Sequence, residues 1–155
     1  MKDLKITNLL KEKHINLSLK GRDKPALIAE LADFICKTGT LRDKKSLLKA
    51  LTERENLGST GIGGGVAIPH IKYKGVKKFI LVFARKNEGI DFKALDGEDT
   101  YLFFALISPI QEVGSHLKIL AEISRLVRDK FIVDQLKSAK SAKEALKIIS
   151  INDKI

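Results

Sequence analysis

Two periods run through the apolar positions of this chain. Between residues 25 and 37, Leu27, Ile28, Leu31, Ala32 and Ile35 recur at helical spacing, so a helix with one apolar face is predicted. Asp23 is placed to cap it, Pro25 is tolerated in its first turn, and Gly39 stops it at a position suited to positive φ. A second helix follows, capped by Thr40, with Leu47, Leu48, Ala50 and Leu51 inward and its end near Gly58. Two runs, FILVFA at 79–84 and TYLFFALI at 100–107, are apolar without alternation, the pattern of central strands covered by helices on both sides. A weaker alternation, His14-Ile-Asn-Leu-Ser-Leu19, predicts a half-buried strand with His14 on its polar face. Ser115 is placed to cap a helix over 116–127, and a short helix is predicted near 130–136. Ser141-Ala-Lys-Glu144 is a capping box for the last helix. No internal repeat and no linker breaks this order, which predicts one α/β domain over residues 1–155.

Composition narrows the class. Hydrophobic residues make up 44% and charged residues 31%, the balance of a soluble globular protein. No apolar run approaches the roughly 18 residues a membrane helix needs, and the N-terminus has no signal-peptide core. The single cysteine, Cys36, excludes an internal disulfide and sits at an apolar helical position. A cytoplasmic location is expected. The net charge of +10 raises the question of an acidic partner such as nucleic acid or a membrane. The basic residues are mostly lysine and scattered, and aromatics for base stacking are few, so a solvated lysine surface is expected and nucleic acid is not.

One stretch asks for chemistry: Gly58-Ser-Thr-Gly-Ile-Gly-Gly-Gly-Val-Ala-Ile-Pro-His70. It is no Walker phosphate loop, because Val66 stands where Lys should follow the last glycine, and no dinucleotide fingerprint, because the third glycine is missing. Glycine richness alone is weak evidence and favours a tight crossover between a helix and a strand. The surroundings are more specific. His70 follows Pro69, which stiffens its approach. His116 falls in the first turn of a predicted helix, where the dipole favours an anion and disfavours a protonated imidazole. Arg54 lies in the turn that feeds the glycine run. A neutral imidazole is a competent phosphoryl acceptor, and phosphoryl transfer asks for positive or N–H groups around the equatorial oxygens. Metal binding is the rival, but two histidines without cysteine or a carboxylate pair make a poor zinc set. A Ser-His-Asp hydrolase is weaker still, since no nucleophile elbow is visible.

Residues 54–70, Arg-Glu-Asn-Leu-Gly-Ser-Thr-Gly-Ile-Gly-Gly-Gly-Val-Ala-Ile-Pro-His, resemble the active-site signature of the type 2 IIA components of the phosphoenolpyruvate-dependent sugar phosphotransferase system. That group comprises the fructose, mannitol and nitrogen-regulatory proteins. The likeness extends through 89–97 (GIDFKALDG), Ile107-Ser-Pro109 and His116-Leu-Lys-Ile-Leu-Ala121, and covers residues 10–149. It implies a mixed, mostly parallel five-stranded sheet with helices on both sides. It also implies a phosphotransferase acting as a phosphocarrier, with no cofactor and no metal. The histidine phosphocarrier protein would donate to His70, and a cysteine on a IIB component would receive the group. In the nitrogen-regulatory branch, the phosphorylated protein would instead control partners by binding them. The resemblance makes His116 the neighbouring histidine that assists transfer and Arg54 the ligand of the phosphoryl oxygens. Ser59, Thr60, Gly61, Gly63 and Gly65 become a loop around the phosphoryl group. Gly64 departs from the usual pattern, where a larger residue such as Asn stands.

Overall fold

The computed structural model describes residues 5–39 and 41–154, so the predicted cap at Thr40 lies outside the described residues. A short helix α1 (Ile6–Leu9) and a 3-10 turn lead into strand β1 (Ile15–Asn16). Helices α2 (Lys24–Lys37) and α3 (Lys44–Asn56) follow, then strands β2 (Gly61–Gly63), β3 (Val66–Ala67) and β4 (His70–Lys72). The long strands β5 (Ile80–Ile90) and β6 (Thr100–Ser108) precede helices α4 (Val113–Arg128), α5 (Lys130–Ser138) and α6 (Ala142–Asn152). Among the described residues, no helix is long and apolar enough to cross a membrane.

The strand order is β1-β5-β6-β3-β2, with β4 also beside β6. The sheet is mixed. β1–β5, β3–β6 and β4–β6 pair in parallel, while β2–β3 and the longest pair, β5–β6, are antiparallel. β3 and β4 keep one register against β6, Val66 facing Leu102 and His70 facing Leu106. They form a single line interrupted at Ile68-Pro69, so six strands occupy five positions.

The central strands are apolar on both sides because both sides are covered. Leu81, Phe83, Leu102, Phe104 and Leu106 pack with Ile119, Ile123, Leu136 and Ile149 from α4, α5 and α6. Val82, Ala84, Phe103, Ala105 and Ile107 pack on the other face with Leu27, Leu31, Leu47 and Leu51 from α2 and α3. Asp23 caps α2 through the Ala26 N–H, and Gly39 follows its end at φ 110°. Asp43 caps α3 through the Ser46 N–H.

Two predicted element starts differ. The strand expected from His14 shrinks to two residues, because a 3-10 turn occupies Glu12–His14 and the Asn16 side chain then accepts from the Ser18 N–H, an Asx turn that ends pairing. Helix α4 begins at Val113, so Ser115 is inside the first turn and is not the cap. The Glu112 N–H closes a turn onto the Pro109 carbonyl, which starts the winding earlier.

Candidate active site

Pro69 and Ile68 make His70 what it is. The Pro69 carbonyl accepts from the Leu106 N–H at 2.8 Å, so residue 69 faces β6. Residue 68 therefore faces the other way, and its N–H donates to the Thr60 carbonyl at 2.9 Å. The Ile68 carbonyl points to the same side and accepts from Nδ1 of His70 at 2.6 Å. A carbonyl oxygen only accepts, so Nδ1 carries the proton and the lone pair lies on Nε2.

The His70 ring opens into a cavity of about 710 Å³ whose walls include Arg54, Leu57, Lys72, Val113, His116 and Leu117. His116 stands beside it, with ring centroids 5.7 Å apart and planes at 49°. Its side chain is fixed from below, Nδ1 lying 2.7 Å from Oγ of Ser108. Its backbone N–H makes the first bond inside α4, to the Glu112 carbonyl at 2.9 Å. The cavity thus lies against a helix N-terminus, the positive end of a dipole. Burial pushes the His70 pKa below the ordinary histidine value, opposed by the hydrogen bond to Ile68, reinforced by the Arg54 charge and opposed by Glu55. Burial likewise lowers His116, with smaller contributions from the charges of His70 and Lys72. Both rings are neutral at pH 7.

Arg54 closes α3. Its Nη1 donates to the Gly58 carbonyl at 2.8 Å, which ties the guanidinium to the end of its own helix while it borders the cavity. Glu55, the next residue, turns inward and is 8% exposed. It accepts from the N–H and the hydroxyl of Thr60 and pairs with Nζ of Lys24 at 2.8 Å. Neighbouring residues of one helical turn so serve two purposes, one at the cavity wall and one anchoring the chain that leaves the helix.

The chain matches the family described as "Phosphoenolpyruvate-dependent sugar phosphotransferase system, EIIA 2" over residues 8–151. The chain belongs to this family. It is 34% identical over 151 residues to the fructose-specific EIIABC component of Bacillus subtilis, covering 97% of this chain but 24% of that longer protein. It is 35% identical over 146 residues to a nitrogen regulatory protein of Bradyrhizobium diazoefficiens, covering 94% of this chain and 95% of that one. The crystal structure of nitrogen regulatory protein IIA-Ntr from Neisseria meningitidis superposes with a TM-score of 0.87 at 34% identity, covering 93% of this chain and 98% of that one.

In this EIIA 2 chain, His70, His116 and Arg54 meet at one cavity as expected from the sequence. The loop residues do not. Ser59, Thr60, Gly61, Gly63 and Gly65 are absent from the cavity walls. Gly61 to Ala67 forms the β2–β3 hairpin, and Gly65 bonds to Tyr101 while His70 faces Leu106. At the rise of a strand, that puts Gly65 about 16 Å from His70 along β6. The glycines serve packing instead: the Gly61 carbonyl accepts from the Leu95 N–H, the Gly64 N–H donates to Asp96, and a Cβ on Gly61 would meet Cα of Ala94 at 2.9 Å. Ser59 Oγ donates to the Phe92 carbonyl, and Thr60 is held by Glu55. Gly64, the departure from the family pattern, is also remote from His70 and lines a hollow with Asp96 and Lys137.

Three residues at or beneath the site carried little signal in the sequence. Lys72 lines the cavity, and its spacing of two from His70 on a strand puts both on one face, a readable sign. Ser108 is the polar close of an apolar run, and nothing in that run ties it to a histidine. Glu55 reads as a solvated helix charge until Lys24 and Thr60 are seen around it.

Proposed function

We propose that this chain is a phosphocarrier that accepts a phosphoryl group on Nε2 of His70 from the histidine phosphocarrier protein and passes it to a IIB component. One observation carries the reading: the Ile68 carbonyl holds the Nδ1 proton, so a nucleophilic lone pair is presented in a cavity bordered by Arg54, Lys72 and a helix N-terminus. Nε2 attacks phosphorus, the new N–P bond forms, and the donor's nitrogen leaves with the electron pair of the old bond. The His70 ring gains positive charge as its lone pair is used, and the carbonyl accepting from Nδ1–H stabilises that charge. Arg54 and Lys72 meet the phosphoryl oxygens. In the reverse step the ring takes back the electron pair of the N–P bond and leaves as a neutral imidazole that keeps its Nδ1 proton on the Ile68 carbonyl.

The test is incubation with phosphoenolpyruvate, the first enzyme of the system and the histidine phosphocarrier protein. The chain is expected to gain the mass of one phosphate, labile in acid and stable in base, and His70→Ala is expected to gain none. A gain that persists in His70→Ala rejects the assignment.

A second reading rests on the 35% identity to a nitrogen regulatory protein and the close superposition on IIA-Ntr. In it, His70 is phosphorylated in the same way, and the phosphorylated state controls partner proteins by binding. Transfer from the phosphorylated chain to a IIB cysteine favours the first reading. A partner that binds one phosphorylation state and receives no phosphate favours the second.

A further inference from the structure

We propose that Ser108 is a positioning residue that fixes His116 as the Nε2–H tautomer, the opposite of His70, so that the cavity joins one lone pair to one N–H donor. The proposal rests on the phosphocarrier reading of His70 for its purpose, and on geometry for its substance.

Ser108 ends β6 and is fully buried. It lies on the α4 side of the sheet, in phase with Leu102, Phe104 and Leu106, which belong to the core that α4 shares with α5 and α6. Its backbone is locked on the neighbouring strand, where it pairs with Lys72 and its carbonyl accepts from the Tyr73 N–H at 2.8 Å. The hydroxyl has little freedom to move, and its partner is Nδ1 of His116 at 2.7 Å. A hydroxyl shut away from water must place its hydrogen on an acceptor, and an unprotonated ring nitrogen is one. If Nδ1 carried the proton instead, the ring would donate and the buried hydroxyl hydrogen would lose this acceptor. The satisfied arrangement has Ser108 donating to Nδ1 and the His116 proton on Nε2.

The two histidines are therefore anchored through the same atom and in opposite senses. His70 donates from Nδ1 to a carbonyl, which leaves Nε2 basic. His116 accepts at Nδ1 from a hydroxyl, which leaves Nε2 a donor. Since Nδ1 is held by the strand beneath, the Nε2 edge of His116 is the one turned from Ser108 towards the cavity. One imidazole then attacks phosphorus while the other offers an N–H to a phosphoryl oxygen, and the two do not exchange roles. This gives a chemical reason why His70 and not His116 accepts the group.

Nitrogen-15 NMR of the labelled full chain at neutral pH tests the assignment without any variant. His70 is expected to show a protonated Nδ1 and His116 a protonated Nε2. A proton on Nδ1 of His116 overturns the proposal. In Ser108→Ala, exchange between the His116 tautomers is expected, with its nitrogen shifts moving towards their averages, and single-turnover transfer is expected to slow by about three- to thirtyfold. Ser108→Thr keeps a hydroxyl and is expected to restore both. His116 shifts in Ser108→Ala identical to wild type, or a rate that stays slow in Ser108→Thr while its shifts recover, overturn the positioning role. A wild-type chain with the expected tautomers that accepts no phosphate rejects the phosphocarrier reading alone.

Discussion

At His70 burial and the Ile68 carbonyl act against each other on the proton count, and burial wins. The His70 and His116 pKa values both fall below the ordinary 6.5. In the window between the folded value and 6.5, the unfolded chain binds more protons than the folded one, so stability rises with pH there. The contribution is complete above about 6.5 and is lost as pH falls through the folded values. Transfer should follow the same groups: the single-turnover rate is expected to stay level down to about pH 6.5 and to fall only below it. A pH profile already halved above that point contradicts a neutral, pKa-lowered acceptor. Arg54 has two contacts to lose, its hydrogen bond to Gly58 and its fork towards the cavity. Arg54→Lys is expected to slow phosphorylation about tenfold, because a point charge replaces a planar fork. It should cost only about 0.5–1.5 kcal/mol of stability, readable by denaturant unfolding. These residues were legible in the sequence because their side chains carry chemistry at element ends. Ser108 was not, since a serine closing an apolar strand declares nothing until α4 sets His116 above it.

The glycine-rich element is a hairpin, and its composition follows from close approach. Gly63, Gly64 and Gly65 have φ of 95°, 65° and 83°, and Gly61 lies against the backbone of Ala94. Gly61→Ala is expected to destabilise by about 1–3 kcal/mol through overpacking. The folded fraction should accept phosphate at the wild-type rate, since Gly61 pairs with Ala67 and lines no wall of the His70 cavity. Loss of transfer in a folded Gly61→Ala protein would return the loop to the site. Gly64 has no atom within 4 Å of an added Cβ and a φ that Asn tolerates. Helices α2 and α6 could be read from the chain because period, cap and burial agree in them, and β6 because its run is apolar throughout, whereas β5 continues to Ile90, past the predicted end at Ala84. The hairpin could not, because a run of glycines records only that the backbone bends or approaches something. Only the fold says that the neighbour is the 91–97 segment. The early start of α4 escaped for a related reason: Glu112 begins the helix without a side-chain cap, while Ser115, which advertises one, lies inside the first turn.

Over the whole molecule, one sheet is shared by two cores, and the site is at the end where β4, β6, α3 and α4 come together. Phe104 is fully buried and stacks against Phe83 at 4.8 Å on the α4 side. Phe104→Ala is expected to cost about 3–5 kcal/mol, a large share of the total stability of a domain of this size. Denaturant unfolding followed by circular dichroism measures it, and a loss under about 1 kcal/mol would mean that the α4 face is loosely packed. The two-sided covering of the sheet was legible because strand-length runs apolar at every position need cover on both faces. The collinearity of β3 and β4 was not, since a proline reads as the end of a strand and here it only interrupts one.

Any residue at position 68 brings a carbonyl, so the group that holds the Nδ1 proton of His70 is invisible to mutational scanning. Substitutions of Ile68 report on a buried aliphatic side chain and leave the acceptor in place. Selection cannot remove it either, except by bending the chain. It becomes accessible only to backbone chemistry, and Pro69 makes that experiment unusually clean. Residue 69 has no N–H, so replacing the Ile68 carbonyl oxygen with sulfur, an Ile68–Pro69 thioamide in a semisynthetic protein, alters no donor and keeps the proline ring while it weakens the acceptor. Slower phosphorylation of a chain whose other residues are unaltered is the expected result, and an unchanged rate would show that the tautomer is set elsewhere.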